Sequence, residues 1–337
     1  MFEAEERPLL DESISWEDAQ QRLRDAGIGD GLPLVPPTER RLERMLAGID
    51  APRRSYGHLP PLFGEITPAR VAYDCVLAGC EPPELPVVLS ALTACLEAEF
   101  NLLGIQTTTG TPTVAVVVHG PVAQALGMNS GGNCLGPGNR ANACIGRAVQ
   151  LALVNIGGAR PGVGDMATMG QPGKYSFCFA ESGDSGLSPL HVRRGFRADQ
   201  SAVTVLGVSG TAEILPASER ESPEAILRPV LAAMASARVM GGPAVQRPPG
   251  EQFFLLPPEV AQLLRGHGWD LDRIRNYLFR EQCEIGFSDA ADRFAGPIAD
   301  GPEQIHPVVS GGPGIKMTYL PLWMGGTRSV TTPLVPL

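Results

Sequence analysis

Apolar residues recur at three- and four-residue spacing through Ile145, Val149, Ala152, Leu153 and Ile156, which predicts a long helix closed by Gly157 and Gly158. Upstream, Thr113–Val118 (TVAVVV) is a continuous β-branched run and predicts a fully buried strand. The first hundred residues read mainly as helices. Ser15 opens one with a capping-box-like pattern and Gly27 closes it, and Thr38 starts a short one over Glu39–Leu46. Thr67-Pro68 starts a third that runs to about Ala78, and Glu84–Ala98 is apolar nearly all round, as in a buried helix.

After the long helix, Tyr175–Ala180 and Ala202–Val208 are expected strands, and Pro223–Ala237 an expected helix capped by Ser222. Gly241–Gly250 reads as a turn or linker. Alternation then resumes: strand Phe253–Leu256, helix Glu259–Arg265, helix Leu271–Gln282 capped by Asp270, strand Ile305–Val309 and a final strand over Lys316–Leu322. Val114–Gly127 and Phe253–Gly266 both run strand, proline, Val-Ala-Gln, helix end. The echo suggests a duplicated β–α unit whose halves meet at glycine loops, with chance matching of a tripeptide as the alternative. The expected fold class is α/β: a helical region over 1–105, a central α/β region over 106–240 carrying the glycine-loop site, and a C-terminal α/β region over 241–337.

Composition narrows the function classes. The chain has 337 residues, 43% hydrophobic and 19% charged, enough for a substantial core. A formal net charge of -9 argues against general nucleic-acid binding. No apolar run approaches the length of a membrane span, and MFEAEERPLLDES lacks the apolar core of a signal peptide. Seven cysteines at irregular spacing then predict reduced thiols in the cytoplasm. A homo-oligomer stays open on the general prevalence of symmetric assemblies alone.

Candidate chemistry concentrates in Gly127–Gly158. Cys134 sits among Asn129, Ser130, Gly131, Gly132, Asn133, Asn139 and Asn142, poor packing sequence with many backbone donors. A glycine-rich loop feeding a helix aims N–H groups and positive potential at one place, which would lower a thiol's pKa in an accessible pocket. Cys134 is therefore the expected nucleophile or redox thiol, while Cys75, Cys80, Cys95 and Cys144 read as core filler. Ser130 competes as nucleophile but lacks the surrounding pattern of a hydrolase elbow. The four asparagines offer amides to a ligand, although asparagine beside glycine is ordinary turn chemistry.

Arg140, in the helix's first turn, is placed to clamp an anion, and Arg147 reads as a structural ion-pair partner. His119 ends the best strand, where ligands gather in open α/β sheets, and is a candidate base near Cys134. Asp165 and Lys174 are candidate proton carriers if their loop converges on the first. A second glycine loop, Ser310–Gly314 with Gly311 and Gly312, looks like an anion-binding turn. No two of the five histidines have metal-ligand spacing, and neither a dinucleotide fingerprint nor a Walker motif is present, so no metal and no cofactor are expected.

Asp30–Thr38, Asn129–Asn142, Gly164–Tyr175, Leu190–Phe196 and the closing Val308–Thr331 resemble a bacterial family associated with the UGSC-type thiol and selenol proteins. That resemblance implies redox work by a cysteine or selenocysteine. This chain has no Cys-Gly-Ser-Cys, so what is implied is single-thiol chemistry or a complex with a thiol- or selenol-bearing partner. The expected function is an enzyme, a cysteine-dependent oxidoreductase or lyase, acting on a small anionic or thiol-containing molecule. A non-catalytic scaffold or binding subunit is the alternative. A metal-assisted lyase would need a carboxylate and histidine cluster that the sequence does not display.

Overall fold

Caps and apolar faces place the N-terminal helices close to where the sequence predicts them. The computed structural model describes residues 7–183, 186–216, 222–239, 250–282, 297–323 and 325–336, so the linker expected over Gly241–Gly250 lies almost wholly outside the described residues, as does Cys283. Helix α1 (Trp16–Asp25) begins where Ser15 Oγ accepts from the Asp18 amide, and α2 (Glu39–Met45) follows. A two-residue ladder, β1 (His58–Leu59) with β2 (Gly64–Glu65), precedes α3 (Pro68–Ala78), capped by Thr67 and stopped by left-handed Gly79. Helix α4 (Leu85–Ala94) is shorter than expected: Glu84 belongs to a 3₁₀ turn, where its carboxylate accepts from the Glu81 amide. Helix α5 (Leu102–Thr107) completes the helical region.

The buried run forms β3 (Thr113–His119), followed by α6 (Pro121–Ala125) and the long α7 (Arg140–Asn155). Strand β4 (Cys178–Ala180) is half the expected length: its ladder with β3 begins only at Cys178, after a 3₁₀ turn over Pro172–Lys174. Next come α8 (Leu190–Arg193), β5 (Ala202–Val208), β6 (Ala212–Ile214) and α9 (Pro223–Val239), whose Ala225 amide is accepted by Ser222 Oγ. The C-terminal part contains β7 (Gln252–Leu256), α10 (Pro258–Gly266), α11 (Leu271–Glu281), β8 (Ile305–Val309), β9 (Met317–Leu320) and β10 (Val330–Pro333).

The strands make two four-stranded mixed sheets, in orders β10-β5-β3-β4 and β6-β9-β7-β8. In both, the last two strands are parallel and the other pairings antiparallel. Val122-Ala-Gln124 and Val260-Ala-Gln262 fall in α6 and α10, the helices after the matching strands β3 and β7. Strand β6 follows β5 in the chain yet closes the second sheet, and β10 follows β9 yet closes the first. A division at 240 therefore runs through both sheets.

Alternation along the strands gives the layers. Val114, Val116 and Val118 face the N-terminal helices, while Ala115 and Val117 face Phe253, Leu255 and Val308 of the other sheet. Phe254, Leu256 and Val309 face away, against α9, α10 and α11. The molecule is thus helices, sheet, sheet, helices, with a two-period pattern deciding which of three apolar layers each residue joins. Among the described residues no single helix is long and apolar enough to cross a membrane.

Candidate functional site

The loop after α6 is built by its own asparagines. Asn139 Oδ1 accepts from the Asn142 amide at 3.0 Å, capping α7, while Asn139 Nδ2 donates to the Gly127 carbonyl. Buried Asn142 donates through Nδ2 to the carbonyls of Asn129 (2.8 Å) and Cys134 (3.2 Å) and accepts the Asn129 amide on Oδ1. Asn129 accepts from the Gly131 amide and donates to the Gly132 carbonyl. Asn133, at φ 58°, donates to the Pro137 carbonyl. The four side-chain amides expected to bind substrate are committed to loop structure, the turn chemistry that was their alternative.

The two glycine loops touch. Gly311 donates its amide to the Ser130 carbonyl at 2.8 Å. A Cβ on Gly312 would lie 2.7 Å from Gly132 Cα, so the contact is backbone on backbone. Next to it, Ser310 Oγ lies 3.2 Å from Cys134 Sγ and 3.1 Å from the Ala180 carbonyl. The Ser182 amide donates to the Val309 carbonyl at 2.7 Å, so the C-terminal ends of β4 and β8 meet beside the sulfur.

Cys134 is 7% exposed, against the accessible pocket expected for it. Burial raises its thiol pKa, and the Ser310 hydroxyl and the amides of Cys134 and Leu135 oppose that shift without reversing it. The lowered pKa expected from the glycine loop is therefore corrected. The donors are present, but desolvation outweighs them.

A second buried constellation lies at the same strand ends. His119 is fully buried, with Nδ1 2.8 Å from Glu181 Oε2 and Nε2 2.7 Å from Thr204 Oγ1, which reaches Thr331 Oγ1 at 2.8 Å. Its ring stacks on His191, with centroids 5.3 Å apart. Both His119 nitrogens are thereby occupied, so it is not hydrogen-bonded to Cys134 as the base proposed for that thiol. His191 is 2% exposed, and neither ring nitrogen makes a hydrogen bond of full geometry, although the backbone at Ala198 and Arg197 interacts with the ring. Burial, then the neighbouring His119, pulls its pKa down, and Glu181 opposes them. Glu181 Oε2 also accepts from the Leu190 amide, and Arg193 Nη2 lies 3.9 Å from Oε1. The candidate ligand atoms of His119, Glu181 and His191 all lie within 4.8 Å of one another, a set that could hold a metal. The histidine and carboxylate cluster absent from the linear sequence is thus present in the fold.

Three expected participants are elsewhere. Arg140 is bidentate to Glu84 at 2.6 and 3.1 Å; it neutralises a fully buried carboxylate rather than waiting for a substrate. Arg147 pairs with Asp30 at 2.8 and 2.9 Å, the structural role expected of it. Asp165 and Lys174 pair with each other, and Thr113 Oγ1 donates to the Gly173 carbonyl, which puts them at the start of β3. His119 ends that strand, six residues or roughly 20 Å away at ~3.3 Å per residue. The Asp165–Lys174 loop does not converge on the glycine loops.

Sequence reasoning missed Ser310 as a sulfur ligand, and Glu181, His191 and Thr204 as partners of His119. Glu181 comes directly after a strand and His119 ends one, and His191 lies in the Leu190–Phe196 motif; those were the available signals. Comparison of the chain with protein-family models, with curated proteins and with solved structures found no match in any of the three.

Proposed function

We propose that the protein is an enzyme acting on a small anionic or thiol-containing molecule through the Cys134 thiol, at the seam where loop 128–139 meets loop 310–314. One observation carries this reading: the sulfur of Cys134 lies 3.2 Å from a hydroxyl supplied by the second glycine loop, just after β8, with the Cys134 and Leu135 amides also favouring the thiolate. Burial keeps the resting thiol protonated. The Ser310 hydroxyl has one hydrogen and three acceptors in reach, the sulfur and the carbonyls of Ser130 and Ala180; it turns to the sulfur when hydroxide of a mildly alkaline medium has taken the thiol proton, and the Leu135 amide adds to that stabilisation. Glycine at 132 and 312 lets the two loops close over the sulfur.

Duplication is part of the proposal, supported by the shared strand order and by Val-Ala-Gln in both α6 and α10. So are a cytoplasmic setting and a relation to the UGSC-type proteins, which rest on the thiols and motifs of the sequence. The burial and raised pKa of Cys134 specifically favour a second reading, a non-catalytic subunit of a complex with a thiol- or selenol-bearing partner. Alkylation of Cys134 in mildly alkaline buffer, with inorganic phosphate or succinate as protectant, separates the two. The enzyme reading predicts concentration-dependent protection. Alkylation that neither anion slows, together with a stoichiometric partner retained through purification, would favour the subunit instead.

A further inference from the structure

We propose that His119, Glu181 and His191 bind one divalent transition-metal ion, at a site distinct from the Cys134 thiol and independent of whether that thiol is catalytic. The three residues come from the end of β3, the residue after β4 and α8, and their ligand atoms lie within 4.8 Å of one another. Two imidazoles on one tetrahedral ion, with bonds of about 2.0–2.1 Å, have ring centroids roughly 5 Å apart. The observed separation is 5.3 Å, with 25° between the ring planes, so one ring must turn in place for both in-plane lone pairs to meet at the ion.

The second observation is His191 itself. Buried polar groups are nearly always satisfied, and this imidazole, 2% exposed, makes no hydrogen bond of full geometry through either nitrogen, its polar neighbours on the chain being the backbone at Arg197 and Ala198. A metal bond would satisfy one nitrogen. His119 already has the outer support a ligating histidine needs. With Nδ1 on the ion, Nε2 carries the hydrogen and donates to Thr204 Oγ1, which is held by Thr331. Loading the site replaces the 2.8 Å contact between His119 Nδ1 and Glu181 Oε2 by bonds to a common ion, which needs those atoms about 3.3 Å apart. A neutral ring keeps its single N–H through this change: a hydrogen that starts on Nδ1 ends on Nε2, and the Thr204 hydroxyl turns to accept it.

Two imidazoles and a carboxylate suit Zn²⁺ or Fe²⁺ and not Mg²⁺ or Ca²⁺, which take oxygen ligands. One carboxylate leaves the loaded site with one net positive charge. Arg193 is buried beside it, with Nε and Nη1 unpartnered and Nη2 donating to the Pro307 carbonyl. That excess of positive charge favours an anionic fourth ligand, such as hydroxide or a small carboxylate.

The test uses the full chain, stripped with EDTA and titrated with Co²⁺, then with Zn²⁺ in competition. One equivalent of Co²⁺ should bind with the visible absorption of a tetrahedral N/O site. His191→Phe keeps a ring against His119 while removing the ligand nitrogens, and it should abolish that spectrum. Thr204→Val should weaken binding about 10- to 100-fold. X-ray absorption of the Zn²⁺-loaded wild type should show imidazole and oxygen scattering without sulfur, a readout that needs no variant to fold. Absence of stoichiometric binding to the wild type, a wild-type spectrum in folded His191→Phe, or sulfur in the zinc shell would each overturn the proposal.

Discussion

Replacing Gly312 by alanine adds one methyl where the two glycine loops meet, 2.7 Å from Gly132 Cα and 3.1 Å from its amide nitrogen. Carbon atoms in ordinary contact sit about 3.5–4.0 Å apart, so the loops must part by roughly 1 Å. The neighbour is backbone, and no side-chain rotation relieves the clash. Overpacking of this kind costs about 1–3 kcal/mol, read as a lower denaturation midpoint. The same movement carries Ser310 Oγ away from the Cys134 sulfur, 3.2 Å distant at present. A hydrogen bond to a charged group contributes about 1.5–3 kcal/mol, so its loss should slow alkylation of Cys134 about 10- to 100-fold at a fixed mildly alkaline pH. Peptide mass spectrometry of iodoacetamide-treated protein measures that rate. A Gly312→Ala protein with unchanged midpoint and unchanged Cys134 rate would refute the described contact between the loops.

Arg140→Met should destabilise the fold by about 3 kcal/mol in chemical denaturation, since it strands fully buried Glu84; the half-exposed guanidinium argues for the low end of the range for broken buried pairs. A substrate clamp would instead leave stability unchanged. Lys174→Ala should leave Cys134 alkylation unchanged, because Lys174 sits at the opposite end of β3; a slowed rate would restore it to the site. Acid should unfold the protein early. Burial depresses His306 from 6.5 to about 4, so the unfolded chain takes up a proton first, and up to about 3 kcal/mol of stability, complete above pH 6.5, is lost as pH falls toward 4. Glu251, raised by burial but held near 2 by His306, Arg194 and the Ser329 amide, loses its contribution below pH 4.5. His306→Phe should flatten the upper part of that profile, and an unchanged acid midpoint would contradict the assignment.

The elements that obey one dominant local rule were legible in the sequence. Ala202–Val208 and Thr113–His119 are β-branched runs whose burial follows from composition, and Thr67 and Asp270 mark their helix starts through cap chemistry. Strand β10, Val330–Pro333, was not, because its threonines have no apolar alternation and it exists only by pairing with Ala202–Val205. The loop carrying Cys134 was recognised as special, but whether its donors or its burial wins depends on Ser310, 176 positions along the chain. His119 drew attention by ending a strand. Its partners Glu181, Thr204 and His191 come together only when β3, β4, β5 and α8 meet, so no spacing rule along the chain could reveal them.

The pH dependence of Cys134 alkylation, in wild type and in Ser310→Ala, tests the central claim most directly. The account predicts a wild-type thiol that ionises above the ordinary cysteine range, and a further upward shift when the Ser310 hydroxyl is removed. A thiol that titrates below that range, or a profile identical in the two proteins, would contradict it.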